Sequence, residues 1–167
     1  MIPPIFLLVS FLFMGTETES YVYDTCLHEG VKPEIALSIL HMENPDQDPY
    51  ATHNNANGTI DVGLFQLNDR YLYTDFVPNY WDKDEEFNAF NWQHNAYLAI
   101  KHIKWLEKQA NGVDKIIFMG YTGGIGRAVA GCPTEHMKWY AKRAERYKEV
   151  YDGKVIVSWK RVQPRTP

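Results

Sequence analysis

The stretch Asn57-Gly58-Thr59-Ile60-Asp61-Val62-Gly63-Leu64-Phe65-Gln66-Leu67-Asn68 decides how this chain is read. Asn57-Gly58 is a tight-turn dipeptide, because both residues tolerate positive φ, and the loop around it is expected to pair as a short hairpin. Leu64, Phe65 and Leu67 are apolar anchors. Before, between and after them stand Asp61, Gln66 and Asn68, groups that are costly to bury unpaired and suited to a polyol or amide ligand. Gly63 admits a close approach of backbone or ligand. Upstream, Glu43 closes an apolar run of Ile35, Leu37, Ile39, Leu40 and Met42. A carboxyl at the edge of an apolar surface has its pKa pushed towards the range of a general acid. Alone, Glu43 would read as a solvated helix-end carboxylate. Its company with residues 61–68 turns the reading towards catalysis.

Outward from this stretch the pattern is mostly helical. Val31-Lys32-Pro33-Glu34 starts a helix, with Pro33 in the first turn, and Pro45 stops it, so Glu43 falls in its last turn. Ala96, Ala99, Ile100, Ile103 and Leu106 recur at helical spacing within 91–110, which Asn111-Gly112 ends. A second apolar helix is expected over 113–121, followed by a Gly-rich turn. The last helix spans about 134–151. Met137, Tyr140, Ala141, Ala144, Tyr147 and Val150 form one side, and Lys138, Lys142, Arg143, Arg146 and Lys148 the other. Residues 21–32 read as a lead-in. Residues 154–162 alternate like a short strand or extended tail. Phe76, Tyr80, Trp81, Phe87 and Phe90 are either core or platforms for sugar C–H faces. His94 and His102 read as structural, and His53 as solvent-facing or substrate-lining.

The chain has 167 residues, 45% hydrophobic and 14% aromatic, enough for one domain with a real core. Its net charge of −4 argues against nucleic-acid binding. The charge is uneven. Residues 17–86 hold fifteen Asp/Glu against three Lys/Arg, whereas residues 138–167 hold three against nine. The basic end reads as a solvated helix face or as a docking surface for an acidic polymer or membrane. Residues 2–15 resemble the apolar core of a signal peptide, so 1–20 are expected to be a signal and 21–167 the domain. Cys26 and Cys132 would be able to bridge in an oxidising compartment, or remain two free thiols. Asp46, Asp48, Asn55, Asn57 and Asp61 lack the spacing of a calcium loop. No cofactor or metal is called for.

Three features in order now carry a resemblance: Glu43, the run Gly63-Leu64-Phe65-Gln66-Leu67-Asn68, and the turn Gly120-Tyr121-Thr122-Gly123-Gly124. The chain resembles the SLT-type lytic transglycosylases of the lysozyme-like superfamily over roughly residues 30–150. It departs from their pattern at Asn44, where the family has Ser, and at Thr122, where it has Asn. The resemblance implies a mainly α, lysozyme-like α+β fold with a small hairpin beside an active-site groove. It implies cleavage of the MurNAc–GlcNAc β-1,4 bond of peptidoglycan with a 1,6-anhydro product, in the periplasm or cell envelope. Glu43 would be the acid, Gln66 and Asn68 the amide contacts, and Tyr121 the partner that orients Glu43. Asp61 would position substrate or cap a turn. It also resembles the second carboxylate of animal-type lysozymes, which keeps a hydrolase alternative open, beside a non-catalytic glycan-binding subunit. Expected partners are glycan strands, with a secretion or pilus apparatus as a further possibility, for a monomer.

Overall fold

The computed structural model describes residues 15–152; the expected signal core and the alternating tail at 154–162 lie outside them. The described chain is mainly α with one small antiparallel sheet, as expected. Helix α1 (Glu17–Glu29) opens it. Thr16 closes a capping box, its hydroxyl accepting from Glu19 N while Glu19 accepts from Thr16 N. This helix replaces the expected lead-in, and a boundary after residue 20 would cut its first turn. Its buried positions are only Glu19, Val22 and Cys26. One of the three is a carboxylate, so no apolar stripe announces the helix. Glu19 accepts a hydrogen bond from the Tyr151 hydroxyl at 3.1 Å, tying the first helix to the last.

Helix α2 (Pro33–Glu43) has an unbroken buried stretch from Ile35 to Leu40. At its end Asn44 is buried and grips the Asp48 backbone twice, donating to the carbonyl at 2.7 Å and accepting from the N–H at 3.1 Å. Asn44 thus shapes the loop after Glu43. Strands β1 (Thr52–Asn54), β2 (Ile60–Val62) and β3 (Leu67–Asn68) follow in the order β1-β2-β3. Asp61 sits opposite both His53 and Asn68. The hairpin turns at Asn57-Gly58, with Gly58 at φ 83°. Short helices α3 (Asp69–Tyr71) and α4 (Val77–Tyr80) flank a π-helical turn at Leu72–Phe76.

Helix α5 (Trp92–Gln109) is the central core element and buries Ala96, Leu98, Ala99, Ile100, Ile103 and Leu106. Helices α6 (Asp114–Gly123), α7 (Ile125–Val129) and α8 (Glu135–Tyr151) complete the domain, with α8 packed on α2 and α6. Among the described residues no helix is long and apolar enough to cross a membrane.

One side chain on α5 fixes the stretch that opened the sequence reading. Asn95 is fully buried. Its Oδ1 accepts from Phe65 N at 2.8 Å, and its Nδ2 donates to Val62 O at 3.1 Å and Ala89 O at 3.0 Å. Gly63, at φ 75°, lies against this amide, and a Cβ there would collide with the Asn95 amide and the Ala89 carbonyl. Cys26 and Cys132 are free thiols, the first buried in the core and the second exposed at the surface, the second of the two alternatives the sequence left open. Replacing Asn95 by Ala leaves two buried backbone groups and one part-buried one unpaired and is expected to cost about 3 kcal/mol. Urea unfolding measures it; a loss under about 1 kcal/mol would show that the turn is held by other contacts.

Candidate active site

Four parts of the fold converge on one groove of about 400 Å³. The end of α2 gives His41, Met42 and Glu43; the hairpin gives His53, Asn55 and Asp61; α6 gives Thr122; and α8 gives His136, Trp139, Tyr140, Arg143 and Tyr147. Pro45 ends α2 at this edge, so the last helical turn presents Glu43 to the groove.

Glu43 is the most perturbed carboxyl of the groove. Burial pushes its pKa up to about 7, the nearby Asp61 charge adds to that rise, and a hydrogen bond from Tyr140 opposes it. The Tyr140 hydroxyl donates to Glu43 Oε1 at 2.6 Å across ninety-seven residues of sequence. Its bond is to the charged form, so Tyr140 keeps a buried carboxyl within reach of ionisation near neutral pH. The Tyr140 hydroxyl itself is held well above the usual phenol range, first by burial and then by Glu43. It therefore stays a donor throughout the neutral range. Asp61 is anchored from the neighbouring strand, where Asn68 Nδ2 donates to its Oδ1 at 2.7 Å.

The remaining expected site residues are placed differently. Tyr121 does not carry the bond to Glu43. Its hydroxyl donates to Phe65 O at 2.9 Å, locking α6 to the turn below the hairpin, and Tyr140 takes the role expected of it. Gln66, at φ 49°, folds its amide back on its own turn, donating to Gly63 O at 2.8 Å and Ala51 O at 3.1 Å. Asn68 caps α3 by accepting from Arg70 N and spends its amino group on Asp61 and Thr59. Neither residue lines the groove. Of the residues expected to bind substrate, the groove contains Asp61 and not Gln66, Asn68 or Tyr121.

Sequence reasoning had placed Tyr140 only in a core stripe. Its neighbour Trp139, a large aromatic among the basic residues of α8, is the one sequence feature that sets this face apart. Trp139 is 52% exposed and stacks on His136 at 5.8 Å. His136 in turn shares a 3.2 Å hydrogen bond with Thr122, joining α8 to α6 at the groove rim. His102 lies behind Tyr121, stacked on Trp105, and burial pushes its pKa down to about 4, so it is neutral at working pH. Among the described residues no group of three or more His, Cys, Asp or Glu is placed to hold a metal ion.

The sequence profile of the transglycosylase SLT domain matches residues 22–148. The chain belongs to that family. Its fold is also that of an inactive mutant of the lytic transglycosylase Slt from Pseudomonas aeruginosa. The two superpose with a TM-score of 0.66 at 15% identity over 84% of this chain. The chain spans 25% of that larger structure, and at this identity the likeness speaks for the fold. No curated protein matches the chain in sequence. As a member of the SLT family, the chain keeps the three motifs in order and builds the contact to its helix-end Glu from α8.

Two predictions follow from the Glu43–Tyr140 pair. Tyr140→Phe removes the bond that lowers the Glu43 pKa. Any groove activity should fall by about 10- to 100-fold, and its alkaline limb should move to higher pH. An unchanged pH profile would separate Tyr140 from the carboxyl. The second prediction concerns stability. The folded carboxyl holds its proton up to about 7, while the unfolded chain releases it near 4.5. Between these values the folded state binds more protons, so stability falls as pH rises, by up to ~3 kcal/mol. Glu43→Gln should therefore be more stable than the parent at pH 8 and gain little at pH 4, as thermal melts would report.

Proposed function

We propose that this protein is a peptidoglycan lytic transglycosylase in which Glu43 acts first as acid and then as base. The observation that carries this reading is one carboxyl, raised to a pKa of about 7, hydrogen-bonded by Tyr140 in a groove. Protonated Glu43 gives its hydrogen to the oxygen bridging MurNAc and GlcNAc, and the C1–O bond breaks as positive charge builds on the MurNAc ring. The anchored carboxylate of Asp61 and the sugar's own N-acetyl group stabilise that charge. The Tyr140 hydroxyl stabilises Glu43 as it becomes an anion. Glu43 then takes the proton from the MurNAc C6 hydroxyl, whose oxygen closes on C1. The acid is regenerated, no water is consumed, and the new end is a 1,6-anhydro sugar. None of these steps calls for a metal or organic cofactor. A substrate of this kind goes with export to the cell envelope, where glycan strands are the partner.

The place of Asp61 in the same groove favours one second reading, a lysozyme-like hydrolase with Asp61 as nucleophile or stabiliser. Product mass separates the two. Digestion of purified peptidoglycan should release muropeptides one water lighter than hydrolysis products, and Glu43→Gln should release none while still binding the polymer. Asp61→Asn should retain some anhydro product. Hydrated ends from the parent protein would establish the hydrolase instead, and full turnover by Glu43→Gln would remove Glu43 from the mechanism.

A further inference from the structure

The groove continues past Glu43 along α8 into a second concavity of about 520 Å³, lined by Trp139, Lys142, Arg143, Arg146 and Tyr147. Trp139, Arg143 and Tyr147 line both hollows, which therefore adjoin. Lys142, Arg143 and Arg146 are all exposed. Other cations of this helix are already paired: Lys138 with Glu135 at 2.7 Å, and Lys148 with Asp114 at 3.3 Å. Among the described residues no carboxylate pairs with Lys142, Arg143 or Arg146, and the sequence outside those residues contains no Asp or Glu. The Arg143 guanidinium lies 5.5 Å from the Trp139 ring centroid, a cation–π contact that seats it between the two hollows.

A chain of net charge −4 thus carries a strip of unpaired cations leading directly out of its acid site. Along α8, Glu145 and Glu149 lie outside the lining of this hollow. The uncharged sugar hydroxyls and N-acetyl groups that the catalytic groove must hold give three cations nothing to pair with. Carboxylates do, because guanidinium and ammonium groups form their strongest hydrogen bonds to anionic oxygens. On peptidoglycan such carboxylates belong to the peptides attached to MurNAc, the same sugar whose C1 is attacked.

We propose that Lys142, Arg143 and Arg146 form a subsite for the carboxylate-bearing peptides of the glycan strand, so that the protein selects peptide-substituted strands over bare ones. This rests on the reading of the groove as a peptidoglycan site. The aromatic floor of Trp139 and Tyr147 suits the apolar parts of such peptides, and the cations set their direction.

The test uses two polymers, intact peptidoglycan and the same material stripped of its peptides by an amidase, with the lactyl carboxylate that this frees on each MurNAc capped as its amide. It uses the full chain and the double variant Lys142→Gln/Arg146→Gln, whose two sites line only the second hollow. The parent should bind and cleave intact strands about tenfold better than stripped ones, with the preference shrinking as salt rises. The double variant should show a KM about tenfold higher on intact strands, an unchanged kcat, and unchanged behaviour on stripped strands. Lys142→Arg/Arg146→Lys should restore the preference, and circular dichroism should confirm that each variant is folded. Binding is also measured in the Glu43→Gln background, independently of turnover. Binding without cleavage by the parent would therefore sink the proposed activity and leave this subsite standing. Equal loss on both polymers, no loss on intact strands, or an unchanged affinity after the peptide carboxylates are amidated would overturn the subsite. So would charge-dependent binding of anionic lipid vesicles that competes with the strands.

Discussion

A buried carboxylic acid that titrates near neutral pH is the constraint around which this fold is arranged. Glu43 ends a helix whose preceding turns are buried, and it faces a groove whose other carboxyl, Asp61, is anchored by Asn68. Both conditions penalise its ionised form, and the Tyr140 hydroxyl at 2.6 Å moderates the penalty. The balance leaves both protonation states within reach near neutral pH, as the proposed acid and base roles require. Such a group destabilises the fold wherever it is charged, and the surrounding packing has to offset that. The fully buried core on α2 and α5 supplies the apolar contact that does so.

The scaffold holds the hairpin with polar bonds where it is thin. Three strands of two or three residues cannot stand alone. Asn95 reaches out of α5 to the backbone of Val62, Phe65 and Ala89, and Tyr121 reaches out of α6 to Phe65 O. Gln66 and Asn68 close the remaining donors and acceptors from within. Asp61 is thereby fixed relative to Glu43 by groups that do not line the groove.

This division of labour explains what was legible in the sequence. Asn57-Gly58 dictates a turn through its own backbone, so the hairpin could be read locally. Pro33 and Pro45 bracket α2, which placed Glu43 at a helix end, and the apolar spacing of α5 and α8 announced both helices. The polar residues of the central run were harder, because a side chain that builds a turn and one that binds a sugar share the same chemistry. Gln66 and Asn68, expected as ligand contacts, are turn-builders, and Asn95, which completes them, carries no local sign of that role. Tyr140 lies in the core as its spacing predicts and makes the bond to Glu43 that was expected of Tyr121, because that choice depends on how α6 and α8 pack, information that no local pattern carries. Helix α1 was missed because its buried positions include Glu19, whose partner Tyr151 lies at the far end of the described chain.

The most direct test of the account is the titration of Glu43 itself, followed by the carbon-13 shift of its side-chain carboxyl and assigned by the signal's absence in Glu43→Gln. A midpoint near 7, moving upward in Tyr140→Phe, is the result the arrangement requires. A midpoint close to 4.5, the ordinary value of a glutamate, would mean that the carboxyl is solvated and charged at neutral pH, and the groove would have no acid to offer.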